Sequence, residues 1–290
     1  MRKFLAFLLV AALFFCMVNL PISAQNINIS AQAAVLIEAQ TGKVLFGKNE
    51  NEKRPMASTT KIMTTLLCLE SGNLDEQFVV DPNAIKVEGS SMGLVEGDIV
   101  TKRALCYGML LPSGNDAANA TAIKIAGSYE AFANMMNARA KQIGMLNTYF
   151  VTPSGLEGEG HGSTAYDMAL LTREALNNAD FRAICSQKNS KISFGNPPYD
   201  RWLKNSNKLL DYYSGCIGVK TGFTDDAGRC LVSAAERNGV TLICVTLKAP
   251  SDWSDHAKMF DYGFSIVKNY DLPVSSEPAS INRLCSHINP

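Results

Sequence analysis

The strand-like segments of this 290-residue chain stand at its two ends, and that separation limits the fold more than any other feature. Residues 34–37 and 43–46 are short apolar runs on either side of Ala39-Gln40-Thr41-Gly42, the pattern of a hairpin. Runs of this kind return only at 216–221, 229–235 and 240–248, the last two joined at Asn238-Gly239, a strong turn signal between apolar segments. Between the two groups the period is helical. From Thr59 onward Ile62, Met63, Leu66, Leu67 and Leu69 form an apolar face, with Gly72 as a stop. Further helices are predicted over 101–110, 116–126, 129–143 (closed by Gly144), from Ser163 or Thr164 to about Asn177, and briefly over 181–185. Residues 74–100 read as irregular, with Gly-rich turns at 89–93 and 96–98 and short strand-like pieces, and 153–162 as a Gly-rich loop. A last helix is predicted over 254–264. Five strands, two of them remote in sequence from the other three, predict one antiparallel sheet that carries the terminal helix. A mostly helical insert over about 59–190 would lie beside it, an α/β (α+β) architecture.

The ends of the chain read differently from its middle. Arg2 and Lys3 precede an unbroken apolar run from Phe4 to Val18, and Ile22-Ser23-Ala24 offers a small residue for cleavage, so 1–24 is expected to be a secretory signal. Fifteen apolar residues make about 22 Å of helix, short of a ~30 Å hydrocarbon core, so an uncleaved anchor is the second choice. Cleavage after Ala24 leaves 266 residues (290 − 24) with 25 basic and 27 acidic side chains, and no basic block that would suggest nucleic acid. The eight cysteines fall to seven without Cys16, with no regular spacing and no CxxC pair, which argues against both a disulfide framework and a zinc site. Cys68, Cys106, Cys230 and Cys244 sit in apolar segments as core residues, and the three histidines, His161, His256 and His287, are too scattered for a metal triad.

The stretch PMASTTKIMTTLLCL at 55–69 places Ser58 and Lys61 three residues apart at the start of a helix, on one face and within reach of each other. A cation in a first helical turn is at the electrostatically wrong end, and burial would add to that, so Lys61 is expected to favour the neutral amine and to act as a general base toward the Ser58 hydroxyl. The helix start and the Ser58 N–H would favour negative charge developing on a substrate oxygen. The plain alternative is a capping serine and a solvated lysine. Two other segments offer partners. Ser113 and Asn115 fall in a break between helices, where Asn115 is either a cleft residue or the cap of the next helix. Lys220, Thr221 and Gly222 end a predicted strand, with a cation and a hydroxyl on opposite faces and a glycine that permits close approach of another segment. The alternative for Lys220 is an edge lysine that discourages aggregation.

Taken together, SxxK at Ser58 to Lys61, SxN at Ser113 to Asn115 and KTG at Lys220 to Gly222 resemble the penicillin-recognising serine enzymes. Single motifs are cheap, since Ser265 to Lys268 is also SxxK and Ser71 to Asn73 also SxN, but KTG occurs once and the three come in the family's order. The resemblance runs from about Ala33 to Phe264 through strings such as AVLIEAQTGKVLF, LPSGNDAANA, GHGSTAYDMALL and GVKTGFTDDAGRCLV, and is closest to the D-alanyl-D-alanine carboxypeptidases, the low-molecular-mass penicillin-binding proteins. It implies a beta-lactamase/transpeptidase-like fold with catalytic domain 25–270. Ser58 would be the acylated nucleophile, Lys61 its base, Ser113 and Asn115 a proton relay and substrate contact, and Lys220 with Thr221 an electrostatic clamp. The N–H groups of Ser58 and Phe223 would form the oxyanion hole. It implies peptidoglycan stem peptides as substrate, beta-lactams as covalent inhibitors, and neither metal nor organic cofactor.

The resemblance also sets expectations that the chain departs from. The family commonly carries a second, beta-rich domain and a C-terminal amphipathic anchor, whereas only 26 residues follow Phe264 and 271–290 is a short polar tail. The protein is therefore expected outside the cytoplasm, cell-wall associated or secreted, with membrane contact only through an uncleaved N-terminal segment. The family often supplies an arginine near the KTG strand for the substrate carboxylate, where this chain shows Ser206 and Trp253, with Arg229 as a substitute. Two other readings stay open. A beta-lactamase needs a second base, for which Glu174 is the candidate, and a penicillin or wall-peptide sensor keeps the acylating serine without turnover. Tyr107 reads as a packed helix residue and His161 as a loop residue able to reach substrate.

Overall fold

The computed structural model describes residues 27–267, so the expected signal segment and polar tail lie outside the described residues. The two remote groups of strands do meet in one antiparallel sheet. β1 (Ala33–Glu38) and β2 (Val44–Lys48) form the first hairpin, and β7 (Cys216–Thr224), β8 (Gly228–Arg237) and β9 (Val240–Leu247) the second group, in the order β2-β1-β9-β8-β7. β1 pairs with β9 from Ala33 opposite Leu247 to Glu38 opposite Leu242.

β1 is buried along its whole length because both faces of the sheet are covered. Its period-two alternation divides the core. Ala34 and Leu36 face α8 (Asp252–Val267), together with Leu231, Leu242 and Cys244, while Val35 and Ile37 face the helices on the other side with Val232, Ile243 and Val245. On the α8 side the buried His256 bridges two strands, pairing through Nδ1 with the Ser233 hydroxyl and through Nε2 with the Thr246 hydroxyl at 3.0 Å.

The helical side is built on α1 (Lys61–Glu70), which is buried at every position but the last and so behaves as a central core helix. The start of the helix differs from expectation: Ala57–Thr60 is a 3-10 turn that runs into α1, with the Thr59 hydroxyl donating to the Met56 carbonyl at 2.6 Å. Around α1 stand α2 (Lys102–Leu110), α3 (Asn115–Ala126), α4 (Tyr129–Ile143), α5 (Ala165–Leu176) and α6 (Ala179–Cys185), each within about two residues of its predicted bounds. Two further strand pairings are present, the first between strand-like pieces expected around 74–100 and the second not foreseen. β3 (Gln77–Val79) pairs with β4 (Ile99–Thr101), each three residues long and separated by the irregular segment between them. β5 (Asn189–Gly195) pairs with β6 (Pro198–Lys204); Arg201 and Tyr199 share the inner face with Ile192, Phe194 and Leu203 while Trp202 stands exposed on the outer one, so the hairpin carries no clean apolar face. A one-turn α7 (Leu209–Tyr212) leads into β7.

Candidate active site

The 3-10 turn that carries Ser58 is gripped from two sides. On one side β7 passes so close that a Cβ on Gly222 would lie 3.1 Å from the Met56 carbonyl oxygen and 3.1 Å from the Ser58 and Thr59 nitrogens. On the other, Gly155 in the 153–162 loop has φ +87°, and a Cβ there would stand 2.0 Å from the Ala57 carbonyl oxygen. Ala57 itself is held at φ 48° and Ser113 at φ 70°, left-handed conformations that cost a non-glycine residue on the order of 1 kcal/mol or more and persist where the surroundings fix them.

Lys61 is fully buried beneath this turn. Its Nζ lies 2.8 Å from Ser58 Oγ, 2.7 Å from Asn115 Oδ1 and 2.7 Å from the Ser154 carbonyl oxygen. Two of these partners can only accept. The third is a hydroxyl, which can also donate. Asn115 is locked in that orientation because its Nδ2 donates to the Glu88 carbonyl at 2.7 Å, and it does not cap α3: Gly114 holds the cap position, without a side-chain bond. A neutral amine has two N–H bonds and one lone pair, so giving both N–H groups to Asn115 and Ser154 leaves the lone pair for the Ser58 O–H. Burial is the largest force toward that neutral form and holds Lys61 well below the ordinary lysine range. The neighbouring Lys220 charge adds to it, against the opposing pull of Asp116.

Lys220 is likewise buried, not an edge lysine in water, and burial brings it down to about 7. Its ammonium donates to the Thr221 carbonyl at 2.7 Å. The Thr221 hydroxyl faces the other way and pairs with the Ser206 hydroxyl at 2.7 Å. Ser58, Ser113, Asn115, Thr221, Gly222 and Phe223 line one cleft of about 500 Å³, with Lys61 in direct contact with two of them and Lys220 opposite Val232 on the helical face of β7, where its charge acts on Lys61. The sequence-expected residues are thus brought together.

Several cleft residues were not read from the sequence. The Gly-rich turn at 89–93 becomes a wall, pinned by Asp116, whose carboxylate accepts the N–H groups of Met92, Gly93 and Leu94 and the Ser91 hydroxyl. Asp252, likewise not foreseen, lines the cleft beside Trp253 and Arg229, the two residues that the sequence did place near the KTG strand. The Arg229 guanidinium gives Nε and Nη2 to one oxygen of Asp252, at 3.1 and 2.8 Å, and stacks near Trp253. A polar sequence offers no period by which such contacts can be found. The other expectations resolve differently. His161 is held by Thr60 Oγ1 at 2.9 Å and by the Val151 N–H, burial lowers it to about 4, and it lines a neighbouring acidic depression of about 420 Å³ with Glu157, Glu159 and Asp226. Glu174, the candidate second base of a beta-lactamase, is not among the cleft residues; it is bound by Arg139 at 2.5 Å on the outside of α4 and α5. Tyr107 packs against the core as expected.

Comparison with known proteins bears on the same segment. Residues 21–251 match the model of the D-alanyl-D-alanine carboxypeptidase family, peptidase S11. D-alanyl-D-alanine carboxypeptidase DacF of Bacillus subtilis is 38% identical over 252 residues, which cover 83% of this chain and 64% of that protein, so the chain spans less than two thirds of this relative's length. D-alanyl-D-alanine carboxypeptidase DacB2 of Mycobacterium tuberculosis is 34% identical, with 81% of this chain and 83% of that one covered. The crystal structure of the Streptomyces K15 DD-transpeptidase superposes with a TM-score of 0.79 at 34% identity, over 82% of this chain and 98% of that one.

Proposed function

The chain belongs to the peptidase S11 family of D-alanyl-D-alanine carboxypeptidases, and from that premise we propose that it removes the terminal D-alanine of peptidoglycan stem peptides through an acyl-enzyme on Ser58. The observation that carries the reading is the set of three contacts at Lys61 Nζ, which leaves a neutral amine one direction for its lone pair, toward Ser58. In this mechanism Lys61 takes the Ser58 proton as Oγ attacks the carbonyl of the penultimate D-alanine. The N–H groups of Ser58 and Phe223 receive the developing oxyanion, and the pinched approach of Gly222 to the Ser58 turn supports that pairing. The proton passes to the departing amine of D-alanine with Ser113 at hand in the cleft, and water then releases the acyl group with Ser58 restored.

The anionic end of the substrate lies at the end of the cleft that holds Thr221 and Arg229, with the Lys220 charge on the neighbouring face of β7. Beta-lactams, which resemble the acyl-D-Ala-D-Ala unit, would acylate Ser58 by the same geometry. The substrate is outside the cytoplasm, and we place the protein there as well, with residues 25–270 as its catalytic domain. The test is D-alanine release from a peptide ending in L-Lys-D-Ala-D-Ala by the full chain and its Ser58→Ala form. The expected result is turnover that falls ~10³-fold or more in the variant. A folded wild-type protein that is acylated by penicillin yet releases no D-alanine would overturn hydrolysis in favour of a sensor.

A further inference from the structure

We infer that Ser206 is a positioning residue for Thr221, holding one wall of the cleft at a set distance from the other; the inference rests on the acyl-transfer reading above. Ser206 lies on neither of the motif segments that line the cleft, yet it is bonded to both. Its hydroxyl meets the Thr221 hydroxyl at 2.7 Å on β7, and its backbone N–H donates to the Leu111 carbonyl at 3.0 Å, two residues before Ser113. One end of that bridge is a sheet residue, Thr221 opposite Leu231, while the other, the Leu111 carbonyl, belongs to the break between α2 and α3 and has no strand to hold it.

The segment that presents Ser206 is itself fixed. Asn205 and Asn207 are buried on either side of it. Asn205 donates through Nδ2 to the Cys185 and Gln187 carbonyls, at 3.1 and 3.0 Å, and accepts the Asn207 N–H at its Oδ1 at 2.9 Å. Asn207 in turn accepts the Leu209 N–H at 3.1 Å, which opens α7. Asn205 is satisfied through both its Nδ2 and its Oδ1, and Asn207 through its Oδ1, and these backbone bonds fix the segment while the half-buried Ser206 side chain meets Thr221.

The consequence is a matter of proton count. A hydroxyl has one donor and two acceptor sites, and when two hydroxyls pair, one O–H is consumed and one remains. The Ser206–Thr221 pair therefore presents a single free O–H to the cleft, with an orientation set by the partner. A substrate carboxylate or a carbonyl oxygen accepts only, so one directed O–H is the useful form. Without Ser206 the Thr221 hydroxyl is free to turn and to satisfy itself on its own strand or on water. Because that donor is offered equally to bound substrate and to transition state, its loss acts on binding and leaves the chemical step alone.

The experiment compares the full chain with Ser206→Ala, Ser206→Thr, Thr221→Val and the double variant Ser206→Ala/Thr221→Val. It reads kcat and KM for D-alanine release, the rate of Ser58 acylation by benzylpenicillin, and the melting temperature. Ser206→Ala is expected to raise KM roughly tenfold with kcat within about twofold, Ser206→Thr to restore it, and the effect to vanish in the Thr221→Val background. An unchanged KM in Ser206→Ala, or a loss that persists undiminished beside Thr221→Val, overturns the inference. Should Ser206→Ala fail to fold, Ser206→Cys, close in size and a weak hydrogen-bonding group, takes its place in the same cycle. A wild-type chain that is acylated but does not hydrolyse overturns the carboxypeptidase reading alone, and the acylation rates then decide the role of Ser206. A wild-type chain that is not acylated overturns both.

Discussion

A serine is paired with a basic side chain on each side of the sheet, and only one of the two pairs is built for chemistry. On the helical side Ser58 stands 2.8 Å from Lys61; on the α8 side Ser233 bonds His256. A hydroxyl beside a buried, neutral base is common to both, since burial lowers His256 to about 3 and Lys61 well below its ordinary value. The difference lies in what else each base touches and in what the serine faces. Both ring nitrogens of His256 are taken by hydroxyls, Ser233 and Thr246, and all three side chains are fully buried, so a proton moved there has no acceptor substrate. Lys61 has two partners that only accept, and Ser58 opens on a cleft of about 500 Å³. A serine next to a base is thus a brace when sealed and a nucleophile when one side is open to a ligand.

The comparison breaks most sharply through the serines. Ser58→Ala is expected to abolish acylation while leaving stability within about 1 kcal/mol, since the residue is half-exposed on its turn. Removal of the brace should do the reverse. His256→Gln leaves two buried hydroxyls imperfectly paired and is expected to cost about 2–3 kcal/mol in urea unfolding, with the acylation rate per folded molecule unchanged. The pH dependence of stability carries the same signature. His256 and His161 have folded values near 3 and 4, below the ordinary 6.5, so between those limits the unfolded chain binds protons that the folded one refuses. Their contribution is therefore present above about pH 6.5 and lost as pH falls through 4 toward 3, and His256→Gln should flatten that slope. An acid transition as steep in the variant as in the wild type would show that His256 does not carry it.

The electrostatic coupling between Lys61 and Lys220 gives the next effect in size. Lys220 lowers Lys61, so replacing it by methionine of similar length lets Lys61 rise toward its ordinary value and move into the protonated, inactive form at a higher pH. The acid limb of penicillin acylation is expected to shift to higher pH in Lys220→Met, with a rate deficit that grows as pH falls and reaches roughly ten- to a hundredfold at pH 6. Lys220 itself is brought to about 7, so its own charge is present on the acid side of that value and the deficit narrows above it. A deficit that is constant with pH would mean that Lys220 acts on substrate alone.

How much of this was legible before the structure depends on the kind of signal. The strands of the large sheet were readable because period-two burial on both faces demands apolar residues along β1, β8 and β9, and the helices because α1 must be buried on every side. Ser58, Lys61, Ser113, Asn115 and the KTG strand were readable as motifs, and the structure brings Ser58, Ser113, Asn115, Thr221 and Gly222 into one cleft with Lys61 buried in contact with Ser58 and Asn115. Ser206 was legible as a residue near the KTG strand but not its bond to Thr221, and Asp252 and the Asp116 clamp on the 89–94 turn were not legible at all, because each acts through a hydrogen bond to a segment remote in sequence and leaves no periodic trace. The β5–β6 hairpin escaped for a related reason. Its pairing is complete from Asn189 opposite Lys204 to Gly195 opposite Pro198, yet its faces are mixed, with Arg201 opposite Ile192 on the inner one and Trp202 exposed on the outer one.

The smallest expected effect concerns Glu174, which separates a beta-lactamase from a carboxypeptidase. A deacylating base must reach the ester carbon or a water beside it, within about 3 Å or through one water. Glu174 instead spends its carboxylate on Arg139, which also holds Glu70 through Nε and Nη2, and its side chain is 40% exposed on the far surface of α5. An exposed ion pair of this kind contributes about 0–1 kcal/mol, and Arg139 keeps Glu70 when Glu174 is gone. Glu174→Gln is accordingly expected to change neither the rate at which the penicilloyl group leaves Ser58 nor, beyond about 1 kcal/mol, the stability. A clear slowing of deacylation would instead place the water-activating base on α5, and would require that helix to approach the cleft in the acyl-enzyme in a way that its present contact with Arg139 does not allow.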